Sequence, residues 1–178
     1  MILGLKDTDY EISAERVRRH IDGRGLKACI ITFGCQQNEA DSEKIMGIAL
    51  ELGYTISDKP EDSDLIVMNT CAIRAHAEMK ALSILGNFKA IKKKNPALVV
   101  GVVGCMAAEK GICERLKKDF HYVTFTLPPN MLHKLPSAVL RGIEASKRSF
   151  ALGADNGDIV EGMPVCRVGK SRAWVSIM

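Results

Sequence analysis

A chain of 178 residues that is 47% apolar has room for one ordinary globular domain and some further chain. Aromatic residues make up only 5%, which excludes base stacking as its main business, and a net charge of +4 permits an acidic partner such as RNA without demanding one. The opening Met1-Ile2-Leu3-Gly4-Leu5-Lys6-Asp7 is too short and too soon charged for a secretory signal, and no apolar run is long enough to span a membrane. The chain therefore reads as cytoplasmic and monomeric. In that compartment its six cysteines are expected to be reduced, metal-bound or catalytic rather than disulfide-bonded.

Residues 1–24 read as an N-terminal helical arm. Ser13 is placed to cap a short helix to Ile21, and Gly23-Arg24-Gly25 breaks it. Arg16, Arg18 and Arg19 suit a solvated face better than a nucleic-acid contact. Lys27 to Phe33 is the first strand. It is nearly all apolar, as in parallel sheets covered on both faces by helices. Asn38 is a candidate cap for a helix whose buried face carries Ile45, Ile48, Ala49 and Leu52 and which Gly53 ends. Tyr54-Thr55-Ile56 suits a short edge strand.

Asp64 to Thr70 is the second core strand, followed by a helix from Ala75 to Lys93 with Met79, Leu82, Leu85, Phe88 and Ile91 inward. Lys92-Lys93-Lys94 complement the negative end of its dipole. Leu98 to Gly104 is the third strand, with a helix from Ala107 to Lys118 behind it. His121 to Leu127 reads as a strand, and a helix runs from Leu132 to Ala145. The pattern is lost over 146–165, and Arg172 to Met178 looks like the opening of another strand. The expected fold is α/β: a three-layer, doubly wound, mostly parallel sheet of the Rossmann or flavodoxin-like kind. Residues 25–146 form its body, 147–171 a linker, and 172–178 the start of a further domain.

Each core strand ends in a cysteine: Cys35, Cys71 and Cys105, 36 and 34 residues apart. Parallel strands share one carboxyl edge, where ligands bind in such sheets. Each thiol stands just before a helix, whose free N–H groups and dipole favour the thiolate that binds metal. Three thiolates suit a zinc site completed by a fourth ligand, or a cubane iron–sulfur cluster with one open iron. Zinc ligands usually come in close pairs, and no C-x-x-C exists here, so the even spacing favours the larger centre. A single strand-end cysteine is more often a buried apolar residue. Cys29, Cys113 and Cys166 are read that way, and His76 as plain surface.

The words around these cysteines are distinctive. Phe33-Gly34-Cys35-Gln36-Gln37-Asn38 with Asp41-Ser42-Glu43, Asn69-Thr70-Cys71-Ala72-Ile73-Arg74 with Ala77-Glu78, and Gly104-Cys105-Met106-Ala107 stand in this order. They resemble the three N-terminal motifs of the radical-SAM methylthiotransferases, in the wording of the tRNA branch, over roughly residues 27 to 178. Pro128-Pro129-Asn130-Met131 departs from the Gly-Thr-x-Asn turn common in that family. The resemblance implies an auxiliary 4Fe–4S cluster on Cys35, Cys71 and Cys105, with Gln36, Asn38, Asn69 and Arg74 as candidate neighbours that tune it. It implies a following barrel with a C-x-x-x-C-x-x-C cluster that cleaves S-adenosylmethionine, and a final RNA-binding domain. The implied chemistry is methylation of a sulfur at the open iron, then radical delivery of a methylthio group to C2 of N6-isopentenyladenosine beside the anticodon. Implied partners are tRNA and proteins that deliver sulfur and iron–sulfur clusters. The C-x-x-x-C-x-x-C motif is absent from these residues, so no catalytic residue is assigned within the chain, and alone it is expected to be inactive.

Three other readings compete. A hydro-lyase of the quinolinate-synthase kind also uses three dispersed cysteines, but needs three homologous domains. A flavodoxin-like binding module would bury the cysteines without using them. A phosphatase-like nucleophile at Cys35 would need an arginine-bearing anion loop, which does not follow it.

Overall fold

The computed structural model describes residues 2–4, 8–71, 75–144, 148–151 and 159–167. The three apolar runs become neighbouring strands of one sheet: β2 (Lys27–Phe33), β4 (Leu65–Thr70) and β5 (Val99–Gly104). Short strands complete it: β3 (Thr55–Ser57), β6 (Phe125–Leu127) and β7 (Ser149–Phe150). The order is β3-β2-β4-β5-β6-β7 and every pairing is parallel, as the α/β expectation requires. This is the flavodoxin-like order, extended by one strand. A separate parallel pair joins β1 (Ile2–Gly4) to β8 (Ile159–Glu161).

Side chains along the central strands alternate between two cores, as the period of two dictates. Leu65 and Val67 of β4, with Val99 and Val103 of β5, face α1 (Thr8–Ile21), α2 (Gln36–Glu51) and α6 (Leu135–Glu144). Ile66, Met68, Val100 and Val102 face α3 (Ala75–Lys94), α4 (Cys105–Ala108) and α5 (Lys110–Asp119). Both faces of β4 and β5 are therefore fully buried.

Several expectations are corrected. Helix α1 begins at Thr8, so Ser13 lies inside it and is buried rather than capping it. Tyr10, Ala14, Val17 and Ile21 join the core, so the helix read as part of an N-terminal arm packs into the domain. Asn38 stands in the first turn of α2, and the cap is Cys35. Met79, expected inward, is 65% exposed. It lies in the second turn of α3. The single helix expected from Ala107 is broken at Glu109, whose backbone is extended. The helix expected from Leu132 is a 3-10 segment, Pro129–Lys134, running into α6. Strands β7 and β8 fall within 146–165, where no pattern is expected. Residues 172–178, expected to open a strand, lie outside the described residues.

Candidate metal centre

Register brings the three cysteine-bearing ends level. Phe33 pairs with Thr70, and Thr70 pairs with Gly104, so β2, β4 and β5 end on one line. Cys71 and Cys105 step off that line directly, and Cys35 follows one residue later, after Gly34. Neighbouring strands lie about 4.8 Å apart, so Cys71 stands between the other two at the carboxyl edge. The strand order reverses between β2 and β4, which makes the gap between Cys35 and Cys71 the topological switch point, the usual ligand crevice of such sheets.

None of the three is disulfide-bonded. Cys71 is 2% exposed, whereas Cys35 and Cys105 are half-buried. The Cys105 thiol is pushed above its ordinary range, first by burial and then by the negative charge that Cys71, Cys35 and Asp41 bring near it. The last three causes require the groups to be close in space. They also correct the expectation that the helix start lowers this thiol: α4 has four residues, too few for a strong dipole, and burial prevails. Among the described residues no three cysteine, histidine, aspartate or glutamate side chains close around a single metal ion. A zinc ion holds each sulfur at about 2.3 Å and would gather the ligands tightly. A cubane takes each thiolate on a different iron and leaves them farther apart.

Two glycines keep the edge open. Gly104 has φ +96, and a Cβ there would meet the Thr70 carbonyl oxygen and stand 2.6 Å from Asn69 Oδ1. At Gly34 a Cβ would collide with the Asn38 amide and stand 2.8 Å from Cys71 Cβ. A side chain at Gly34 would press on Cys71, and one at Gly104 on Asn69 and the Thr70 backbone.

Beneath the thiols lies a knot of buried amides and hydroxyls. Asn38 Oδ1 accepts from the Cys35 N–H at 3.1 Å and from its thiol at 3.4 Å. Asn38 Nδ2 donates to Asn69 Oδ1 at 3.0 Å and to the Thr70 carbonyl at 3.3 Å. Asn69 Nδ2 returns bonds to the Asn38 carbonyl at 2.8 Å and to Ser42 Oγ at 2.9 Å. Ser42 pairs with Thr32 Oγ1 at 2.7 Å, and Thr70 Oγ1 donates to the Val103 carbonyl at 3.2 Å. Asn38 and Asn69 thus tie the start of α2 to the ends of β2, β4 and β5. Gln36 is exposed; Gln37, also exposed, donates to Asp41 Oδ1 at 3.1 Å. Arg74 lies outside the described residues.

The remaining cysteines behave differently. Cys29 is buried in β2, and burial with the nearby charges of Asp58 and Glu61 pushes its thiol up to about 11. Cys113 is fully buried, its thiol donating to the Ala107 carbonyl at 3.1 Å. Cys166 is half-buried beside α2. The buried carboxylates Asp41 and Glu43 are functional candidates that the sequence did not single out individually, although their motif was read. Asp41 meets Lys44 at 3.0 Å and Glu43 meets Arg167 at 3.1 Å.

Comparison with known proteins agrees with the motifs. The family model described as "Uncharacterized protein family UPF0004" matches residues 27–127. The chain belongs to that family. Curated relatives share the region: proteins of Anoxybacillus flavithermus (39% identical over 156 residues, 88% of this chain and 30% of that protein), Geobacillus kaustophilus (40% over 156 residues, 88% and 29%) and Bacillus subtilis (38% over 170 residues, 96% and 33%). Each is named tRNA-2-methylthio-N(6)-dimethylallyladenosine synthase. This UPF0004 chain spans about a third of their length or slightly less. Its matched region takes in all three strand-end cysteines, and the names of its relatives agree with the motif resemblance to tRNA-type methylthiotransferases.

Proposed function

We propose that this chain is the auxiliary-cluster domain of a tRNA methylthiotransferase, holding a 4Fe–4S cluster on Cys35, Cys71 and Cys105. The observation that carries the reading is the level ending of three adjacent parallel strands, each followed by a cysteine that forms no disulfide. The donor set fits the group: three soft ligands at one sheet edge, where Gly34 and Gly104 add no side chain beside them. When bound, a cubane with only three protein thiolates supplies one iron open to a sulfur ligand from outside.

The chain's own residues do the holding. Cys71, nearly buried, anchors the middle of the site, and the exposure of Cys35 and Cys105 leaves its outer side accessible. Asn38 and Asn69 fix the backbone from which Cys35 and Cys71 project, so that the thiols meet the cluster preorganised. Asp41 sets a negative charge at the edge. The radical half of the reaction, the second cluster, S-adenosylmethionine and tRNA belong to chain beyond this domain. The division of the chain into 25–146 as the cluster domain, 147–171 as linker and 172–178 as the start of the next unit is part of the same proposal. Delivery proteins for sulfur and clusters, a cytoplasmic location and a monomeric state complete the proposal. Among the described residues no helix is long and apolar enough to cross a membrane.

Anaerobic loading with iron and sulfide tests the reading. The chain should take up about one cubane, with thiolate-to-iron absorption, and should form no 5′-deoxyadenosine from S-adenosylmethionine by itself. Failure to load, or radical cleavage by the pure chain, contradicts it. A binding module with idle cysteines predicts unreactive thiols, which the half-exposure of Cys35 and Cys105 disfavours.

A further inference from the structure

Gly47 stands in the interior of α2, where glycine costs about 1 kcal/mol relative to alanine. No positive φ calls for it. A Cβ there would run into the Pro164 carbonyl, 2.5 Å from its carbon and 2.7 Å from the Val165 nitrogen. The helix is notched to let another stretch of backbone pass.

Residues 163–167 lie in that notch. Met163 packs on the core shared by α1, α2 and α6. The Cys166 N–H donates to the Glu43 carbonyl at 2.9 Å, using the second lone pair of a helix carbonyl. Arg167 Nη1 donates to Glu43 Oε2 at 3.1 Å, and that carboxylate is buried, which strengthens a charge-assisted bond. The direction of travel matters most. Pro164 lies against Gly47 and Arg167 against Glu43, four residues back along α2. The segment therefore climbs one helical turn toward the start of α2, whose cap is Cys35. Eight residues separate Glu43 from Cys35, about 12 Å of helix.

We infer that residues 163–167 form a docked strap, and that Gly47 and Glu43 are positioning residues that hold the chain on course for the thiol edge. The role rests on the cluster reading above. In the longer relatives, of which this chain spans about a third or less, the strap would direct the chain that follows it past the thiol edge.

Hydrogen exchange on the chain tests the docking. Gly47→Ala and Arg167→Gln should each speed exchange of the Cys166 amide about tenfold. The amides of α2 should stay protected, because alanine is the better helix former. The course is tested in the reduced, cluster-loaded chain, where the paramagnetic centre should broaden the amide signals of 165–167. Gly47→Ala should sharpen them. Unchanged exchange in both variants overturns the strap. Faster exchange with no change in broadening overturns the positioning role. If the wild-type chain loads no cluster while Cys166 remains protected, the cluster reading and the positioning role fall together and the docked strap stands.

Discussion

The two edges of this sheet finish in opposite ways. At the amino edge, charged side chains close off backbone. Lys92 donates to the carbonyls of Pro96 at 2.8 Å and Leu98 at 2.6 Å, and burial lowers its ammonium below the usual lysine range. Arg148 reaches four carbonyls, those of Val123, Lys117, Leu116 and Phe120, at 2.8 to 3.2 Å. Asp64 accepts from the Lys27 N–H and from Asn95. A cleft of about 610 Å³ lies here, but Lys92 and Arg148, two of the cations lining it, are already committed to backbone. At the carboxyl edge, amides and hydroxyls beneath the cysteines satisfy one another, and no disulfide joins the cysteines above them. The lesson is that polar burial serves two ends. One edge completes the fold, and the other holds reactive groups in place without consuming them.

The comparison breaks most visibly at Asn69. Asn69→Leu removes two donated bonds and one accepted bond at a fully buried site, leaving Asn38 and Ser42 short of partners. It should cost about 3 kcal/mol in chemical denaturation and also lower cluster uptake. A loss of stability with full uptake would sever the knot from the site.

A smaller effect, on the order of 2 kcal/mol, is expected at alkaline pH from Cys29. Its folded pKa of about 11 lies above the ordinary value of 9.0, so the neutral thiol is favoured by folding. The stability it lends is full below pH 9 and falls as pH rises through 11. Denaturation curves at pH 8 and 10.5 should therefore diverge less for Cys29→Ala than for the wild type. An equal divergence would put the alkaline loss elsewhere.

Arg148→Ala should cost about 1 kcal/mol, discounted because the side chain is largely exposed, and should leave cluster uptake untouched. Reduced uptake in that variant would blur the division between the edges.

Much of this was legible in the chain. β2, β4 and β5 were readable because strands buried on both faces are apolar throughout, and nothing else in the sequence looks like them. The three cysteines were readable because each follows directly on the end of a core strand or one residue later, with one long helix between each and the next. β7 and β8 escaped because two or three residues carry no period. Ser13 misled because a buried serine inside a helix has the same letter as a cap. Asp41 and Glu43 were read only as letters of a motif, since sequence does not show which charge a fold will bury. The one available signal was Gly47, a glycine in mid-helix with no turn to make. Asn38 and Asn69 were singled out as neighbours of the centre, but their bonds to each other came only with the register of β2 and β4.

The central claim divides the six cysteines into two sets of three, and one loading experiment addresses that division. Two triple variants are reconstituted anaerobically beside the wild type, one with Cys35, Cys71 and Cys105 changed to Ala and one with Cys29, Cys113 and Cys166 changed to Ala. Iron, sulfide and the visible spectrum are measured in each. The account predicts about one cubane per chain in the wild type and in the second variant, provided circular dichroism shows it folded, and none in the first. A normal cluster spectrum in the first variant, or its loss in a folded second variant, would contradict it.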